Sequence, residues 1–309
     1  MARHNTSSDS GGFLFKTGLF ALLAGVAFWV FNQFGGKKTP ELPSSVPTTE
    51  IPQSSQNAPA SGTPNPTKVP DNILPHSTTG VVVRHEYFAL SYHEDHEQAE
   101  WVAYELTRER LNQNWAARPN TFRPDPAVRT ESATPRDYSG SGYDRGHLVP
   151  AADMAFDAAA IDATFLMSNI SPQVRTFNGG VWRELEECTR DWARKFKRLY
   201  VVTGPVLTQK PLGAIGFNKV TVPASYYRVL YAPEVHKAIG FVMPNALSAR
   251  PVMDYAVSID EVERITGLDF FPKLLGGLNE ELEGSLDKDA WPVSRQRYEK
   301  RVNEWNKQQ

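Results

Sequence analysis

Hydrophobic and polar positions divide the chain into three stretches. From Thr17 to Phe34 the residues are almost all apolar and none is ionisable. As a helix this run would span roughly 27 Å, close to the hydrocarbon thickness of a bilayer. No small-x-small cleavage site follows it, and it is long for the apolar part of a signal peptide. The pattern predicts a membrane anchor within residues 1–36, with a cleaved signal segment as the alternative. Lys37 to Thr79 is rich in Pro, Ser, Thr, Asn and Gln and has few large apolar residues. Such a stretch cannot bury a core, so 37–79 is expected to be a disordered tether whose ends average on the order of 35 Å apart.

From Gly80 the pattern becomes that of a folded domain, assigned to 80–309. Gly80–Val83 and Tyr87–Tyr92 read as strands, and Ala99–Leu111 reads as a helix with Trp101, Val102, Leu106 and Leu111 apolar. Phe122–Tyr138 holds three prolines and reads as loop. Val181, Leu185, Cys188, Trp192 and Phe196 form one helical face. Leu199–Thr203 reads as a strand stopped by Gly204-Pro205, with further strands at Lys219–Val222, Tyr226–Tyr231 and Ala238–Met243. Ser258–Thr266 reads as a helix ended by Gly267. Strands and helices mix without regular alternation, which predicts an α+β fold.

Composition narrows the function classes. The chain has 309 residues, a formal net charge of -2 and a single cysteine. The charge argues against a protein that coats nucleic acid by bulk attraction, and one cysteine excludes an intrachain disulfide or a Cys-rich zinc site. Any phosphate chemistry must rest on a local site.

Two segments can carry such chemistry. Asp144-Arg145-Gly146-His147 sets an acid, a guanidinium and an imidazole side by side. Arginine can hold a phosphate through two hydrogen bonds, and a neutral histidine can take a proton from water. A surface turn closed by an Asp144–Arg145 ion pair is the plainer alternative. The second segment is Ser168-Asn169-Ile170-Ser171-Pro172-Gln173, followed by Asn178 and Glu186 around the start of the helix. Asn178 could be a helix cap, or a neutral oxygen ligand for Mg²⁺, which keeps most of its water.

These residues resemble the DNA/RNA non-specific endonuclease family, the ββα-metal nucleases with a DRGH motif. Further matches in family order are Asp137-Tyr138, Gly140–Tyr143, Val202–Pro205, Val222-Pro223, Met243–Asn245 and Ile265–Phe271. The resemblance covers roughly Val81 to Leu275. It implies a central, mainly antiparallel sheet flanked by helices, and Mg²⁺-dependent hydrolysis of DNA and RNA to 5′-phosphate ends, with Mn²⁺ able to substitute. By position, it implies His147 as general base, Asn178 as the direct metal ligand, and Glu186 holding the metal through water. It further implies Asn169 as a positioning group, Arg145 as a contact to the phosphate, Arg123 as a weaker one, and Asp144 as support behind them. A homodimer is possible.

The expected placement is on the membrane, with the nuclease domain on the non-cytoplasmic side of a bacterial envelope or periplasm. A mitochondrial inner-membrane location, or secretion after cleavage, is the alternative. A tethered non-catalytic nucleic-acid-binding module and a metal phosphodiesterase for a small substrate are the competing functions. His85, His93 and His96 lie among acidic residues and read as a solvated segment rather than a metal site. Arg190, Arg194, Lys195, Lys197 and Arg198 read as solvated charge or as a nucleic-acid track.

Overall fold

The computed structural model describes residues 68–76, 80–113, 116–274 and 279–307. The apolar run at Thr17–Phe34 and most of the expected tether lie outside the described residues. No helix among the described residues is long and apolar enough to cross a membrane. Residues 68–76, assigned above to the tether, are instead packed on the domain. Val69 and Ile73 are buried and His76 pairs with Asp269. Two apolar residues among prolines are few, but they meet a ready-made groove.

The strands and helices are β1 (Val81–Arg84), β2 (Phe88–His93), β3 (Gln98–Thr107), α1 (Arg108–Leu111), β4 (Asp144–His147), α2 (Ala158–Ala163), β5 (Ile170–Gln173), α3 (Arg183–Phe196), β6 (Arg198–Pro205), β7 (Gly213–Ile215), β8 (Val220–Val222), β9 (Ser225–Ala232), β10 (Lys237–Pro244), β11 (Ala256–Val257), α4 (Ile259–Thr266), α5 (Asn279–Gly284) and α6 (Arg295–Asn303). Seven strands form one sheet in the order β1-β2-β3-β6-β9-β10-β11, and every neighbouring pair is antiparallel. Two-stranded pairs β4-β5 and β7-β8 stand apart from it. The expected α+β architecture, an antiparallel sheet flanked by helices, is what forms.

The sheet is buried on both faces. Val102, Tyr104 and Leu106 of β3 face the cluster that includes α3, whereas Trp101 and Ala103 face the cluster that includes α4. A central strand covered on both sides shows no apolar-polar alternation, and this is why Ala99–Leu111 reads as a helix. The segment is instead a strand as far as Thr107, and only Arg108–Leu111 turns helical, with the Thr107 side chain accepting from Arg110 N–H. The strand at Leu199 likewise runs on through Gly204 to Pro205. Gly204 is required there, because a Cβ would lie 2.3 Å from the Glu100 carbonyl oxygen. The α4 limits agree with the sequence: the Ser258 side chain caps the start and Gly267 ends the helix at φ +74°.

The β4, β5 and α3 elements fall between β3 and β6 in the chain, although those two strands are hydrogen-bonded neighbours. The candidate site is therefore an excursion from the sheet, seated on its α3 face.

Candidate active site

The DRGH segment is a strand, not a surface turn. Asp144 pairs with Gln173, and His147 pairs with Ile170. No backbone can come this close to β5 with a side chain in the way: a Cβ on Gly146 would meet the buried Gln173 side chain at 2.1 Å. Alternation along β4 sends Arg145 and His147 to one face and Asp144 to the other.

His147 sits between two aromatic rings, Phe165 at 4.9 Å edge-on and Phe122 at 5.5 Å. Its Nε2 is buried and accepts no hydrogen bond. Burial, with the nearby Arg118 cation, pushes its pKa down to about 3. At neutral pH the imidazole is neutral, and a ring nitrogen is left with no partner. Arg145 donates to the Pro135 carbonyl at 2.8 Å and lies over the Phe122 ring.

On the other face, the Asp144 carboxylate accepts from Asn178 Nδ2 at 3.1 Å and pairs with Arg175 at 3.1 Å. Asn178 belongs to a wide π-helical turn, Phe177–Trp182, that precedes α3. At Gly180 the backbone leaves the helical region, with φ -105° and ψ -116°. Asn178 is therefore no ordinary helix cap. With its amide nitrogen committed to Asp144, its amide oxygen is the group available to a cation, as a direct ligand requires. Asp144, Arg145, Arg175 and Asn178 line one cleft of about 700 Å³, together with Phe122 and the Tyr138–Tyr143 loop.

Glu186, in the first turn of α3, has its pKa pushed up to about 7 by burial, against the pull of Arg228 and Arg190. Arg228 is fully buried, 4.0 Å from the Glu186 carboxylate and over the Trp182 ring. Arg190 pairs with Asp153 at 2.9 Å, and Asp153 also accepts from the Tyr104 hydroxyl at 2.7 Å. This set of buried charges holds α3 to β3 and β9.

Other expectations are redirected. Asn169 is fully buried; it accepts from Val149 N–H at 2.9 Å and donates to the Val149 and Thr164 carbonyls. It acts through the chain after His147, not in the cleft. Arg123 is paired with Asp162 of α2 and is not a cleft residue. His85 is not solvated: its Nε2 bonds Asp125 at 2.9 Å. Arg190 is committed to Asp153, so the basic helix end is no continuous track. Arg228 and Arg175 were missed. A lone arginine inside the apolar run Tyr226–Tyr231 was the signal for Arg228; nothing in the sequence marked Arg175.

A model of the DNA/RNA non-specific endonuclease family matches residues 65–276. The chain belongs to this family. Human mitochondrial endonuclease G is 36% identical over 205 residues, which are 62% of this chain and 69% of that protein. A nuclease of Nostoc sp. is 34% identical over 244 residues, covering 72% of this chain and 82% of its own. A chain in the crystal structure of the EndoG/EndoGI complex, solved to explain EndoG inhibition, matches with TM-score 0.58 and 32% identity. That match covers 64% of this chain and 89% of the other. The protein is thus a nuclease with the ββα-metal fold, an enzyme that hydrolyses nucleic acid.

The nuclease carries a C-terminal arm beyond the matched residues. Arg301 of α6 is fully buried, ion-paired to Glu184 of α3, and donates to the Ser248 and Arg250 carbonyls. Arg297 pairs with Glu187 and Asp191, and Arg183 lies 4.0 Å over the Trp305 ring. Asn306 reaches the turn before α3 itself, its Oδ1 3.0 Å from where a Cβ on Gly180 would stand.

Proposed function

We propose that this nuclease hydrolyses DNA and RNA at internal phosphodiester bonds with His147 as general base and Mg²⁺ as cofactor. The observation that carries the reading is the buried, unpartnered Nε2 of a neutral His147 on the same short strand as Asp144, the residue that orients Asn178. Asn178 would hold the metal directly, and Glu186 through water. When bound, the cation would stabilise charge on the phosphate and on the departing 3′ oxygen.

His147 takes the proton of the attacking water through its free nitrogen. Burial and the Arg118 cation hold its basicity low; a phosphate beside Arg118 would raise it. Arg145, fixed by the Pro135 carbonyl, offers its remaining donors to the phosphate. Asp144 keeps the Asn178 amide from turning. Because water attacks, no 2′-hydroxyl is needed, both polymers are cut, and the phosphate remains on the 5′ end. Contacts to phosphate carry no base information, so sequence selectivity is weak.

The test is the full chain on closed circular plasmid and on RNA, with Mg²⁺, with Mn²⁺ and with EDTA, beside His147→Ala. Metal-dependent nicking lost in the variant is expected. Equal cutting by the variant would remove His147 as the base, and cutting in EDTA would remove the metal. The apolar run at Thr17–Phe34 supports anchoring through residues 1–36, and a non-cytoplasmic side for the domain would keep the nuclease from the nucleic acid of its own cell. Retention in the membrane pellet at alkaline pH tests the anchor, and protection of the domain from protease in sealed vesicles tests the side. Light scattering tests the homodimer.

A further inference from the structure

The β7–β8 hairpin stands apart from the main sheet and adjoins the cleft. Its inner residues Ile215, Val220 and Val222 pack with Tyr138 and Ile170. Tyr138 lines the cleft, and Ile170 is the strand partner of His147. At the hairpin tip Phe217 is 95% exposed, more than any other large apolar side chain among the described residues. A lone exposed phenylalanine usually needs no explanation. This one sits on a tip that is built to hold still.

Gly216 has φ +71°, and a Cβ there would stand 2.3 Å from the Asp137 side chain. Only glycine fits. The buried Asp137 carboxylate accepts from Asn218 N–H at 3.0 Å and Asn218 Nδ2 at 3.1 Å, and from both the N–H and the hydroxyl of Thr134 at 2.8 Å. The tip is thereby clamped to the residue that precedes Tyr138. With neighbouring Cα atoms about 3.8 Å apart, Phe217 lies within about 12 Å of Tyr138, a span of roughly four stacked nucleotides. Arg136 and Lys219 flank the tip; both are exposed, and neither is ion-paired among the described residues.

A bare aromatic ring on a clamped backbone tip, with two unpaired cations beside it and next to the cleft of a nuclease, matches one ligand chemistry: a base with a phosphate on each side. We propose that Phe217 is a base-stacking contact of this nuclease, holding an unpaired or frayed nucleobase a few nucleotides from the scissile phosphate. The inference rests on the nuclease reading. It supplies what phosphate contacts lack, a grip on bases that any sequence can satisfy, since every base has a π face. Single-stranded and distorted stretches, whose bases are free to stack, would be held better than intact duplex.

The experiment replaces the ring by a reporter. Phe217→Trp in the full chain, in EDTA, is titrated with a mixed-sequence single strand of about 12 bases, within the usual site sizes for such surfaces. The expected result is saturable quenching of indole emission beyond that of the wild type, absent when polyphosphate supplies charge without bases. For cleavage of the same strand, Phe217→Ala should raise KM on the order of tenfold with little change in kcat, and Phe217→Tyr should restore KM. An unquenched tryptophan together with an unchanged KM overturns the stacking contact while leaving the nuclease intact. A wild type that cuts neither polymer overturns the nuclease reading instead, and quenching still decides separately whether a base is held.

Discussion

Asp144 and Asn178 lie 34 positions apart in the sequence and meet through a hydrogen bond of 3.1 Å. It ties the outer face of β4 to the turn before α3, so the orientation of one amide depends on a residue of the motif strand. Groups that orient a metal ligand commonly contribute 10–100-fold to metal affinity. Asp144→Ala should therefore weaken Mg²⁺ binding by on the order of tenfold or more. Calorimetric titration with Mg²⁺ and the metal dependence of cleavage should shift together. A shift in cleavage without one in binding would place Asp144 elsewhere in the mechanism.

The Arg301–Glu184 pair makes the C-terminal arm part of the site's foundation. Both side chains are almost completely buried, so removing one leaves a bare charge inside. Arg301→Ala should cost about 3–5 kcal/mol, lowering Tm by on the order of 10 °C. The double change Arg301→Met, Glu184→Leu should recover much of that loss, because no unpaired charge remains. Thermal melts of the wild type and the two variants measure it.

Glu186 makes stability fall with rising pH in the absence of metal. Its pKa is raised from 4.5 to about 7 in the folded chain. The folded state then binds the proton more tightly than the unfolded state does. The resulting stability is fully present below pH 4.5 and is lost as pH rises toward 7. The loss should approach about 3 kcal/mol. Buried neutral His147 contributes the opposite slope over most of this window. Urea unfolding in EDTA at its two ends is therefore compared between wild type and Glu186→Gln, and the difference between the two should show the Glu186 loss. Mg²⁺ affinity should move the opposite way, rising as the carboxyl ionises.

Arg145 and Arg123 separate by salt. Arg145 faces the cleft, so Arg145→Ala should raise KM and lower the slope of log KM against log salt concentration by about one phosphate contact. Arg123 is spent on Asp162. Arg123→Ala should leave the salt slope unchanged and alter stability by no more than about 1 kcal/mol. A changed slope would return Arg123 to the substrate.

Where the sequence misled, the reason was burial. Apolar residues on β3 serve two cores at once, and no period in the sequence distinguishes such a strand from a helix. Asn169 reads from the sequence as a positioning group, and the structure shows the form this takes: it is buried, with three bonds to the backbone at Val149 and Thr164. Val69 and Ile73 were too sparse to signal a folded segment until a groove existed to receive them.

By itself the sequence marked the candidate groups and their local frame. His147, Arg145 and Asp144 fall within four positions, Asn178 and Glu186 lie around one helix start, and the α+β class follows from short strands mixed with helices. Proximity along the chain makes such groups legible. Only the tertiary structure decided their charge state and their fixity. Arg228 reaches Glu186 from β9, Asp153 reaches Arg190 from before α2, and Arg301 reaches Glu184 from the C-terminal arm. Each pairing joins residues dozens of positions apart and depends on burial, which lowers the dielectric and gives a buried charge its weight. No spacing in the sequence records which distant charge will be enclosed with which.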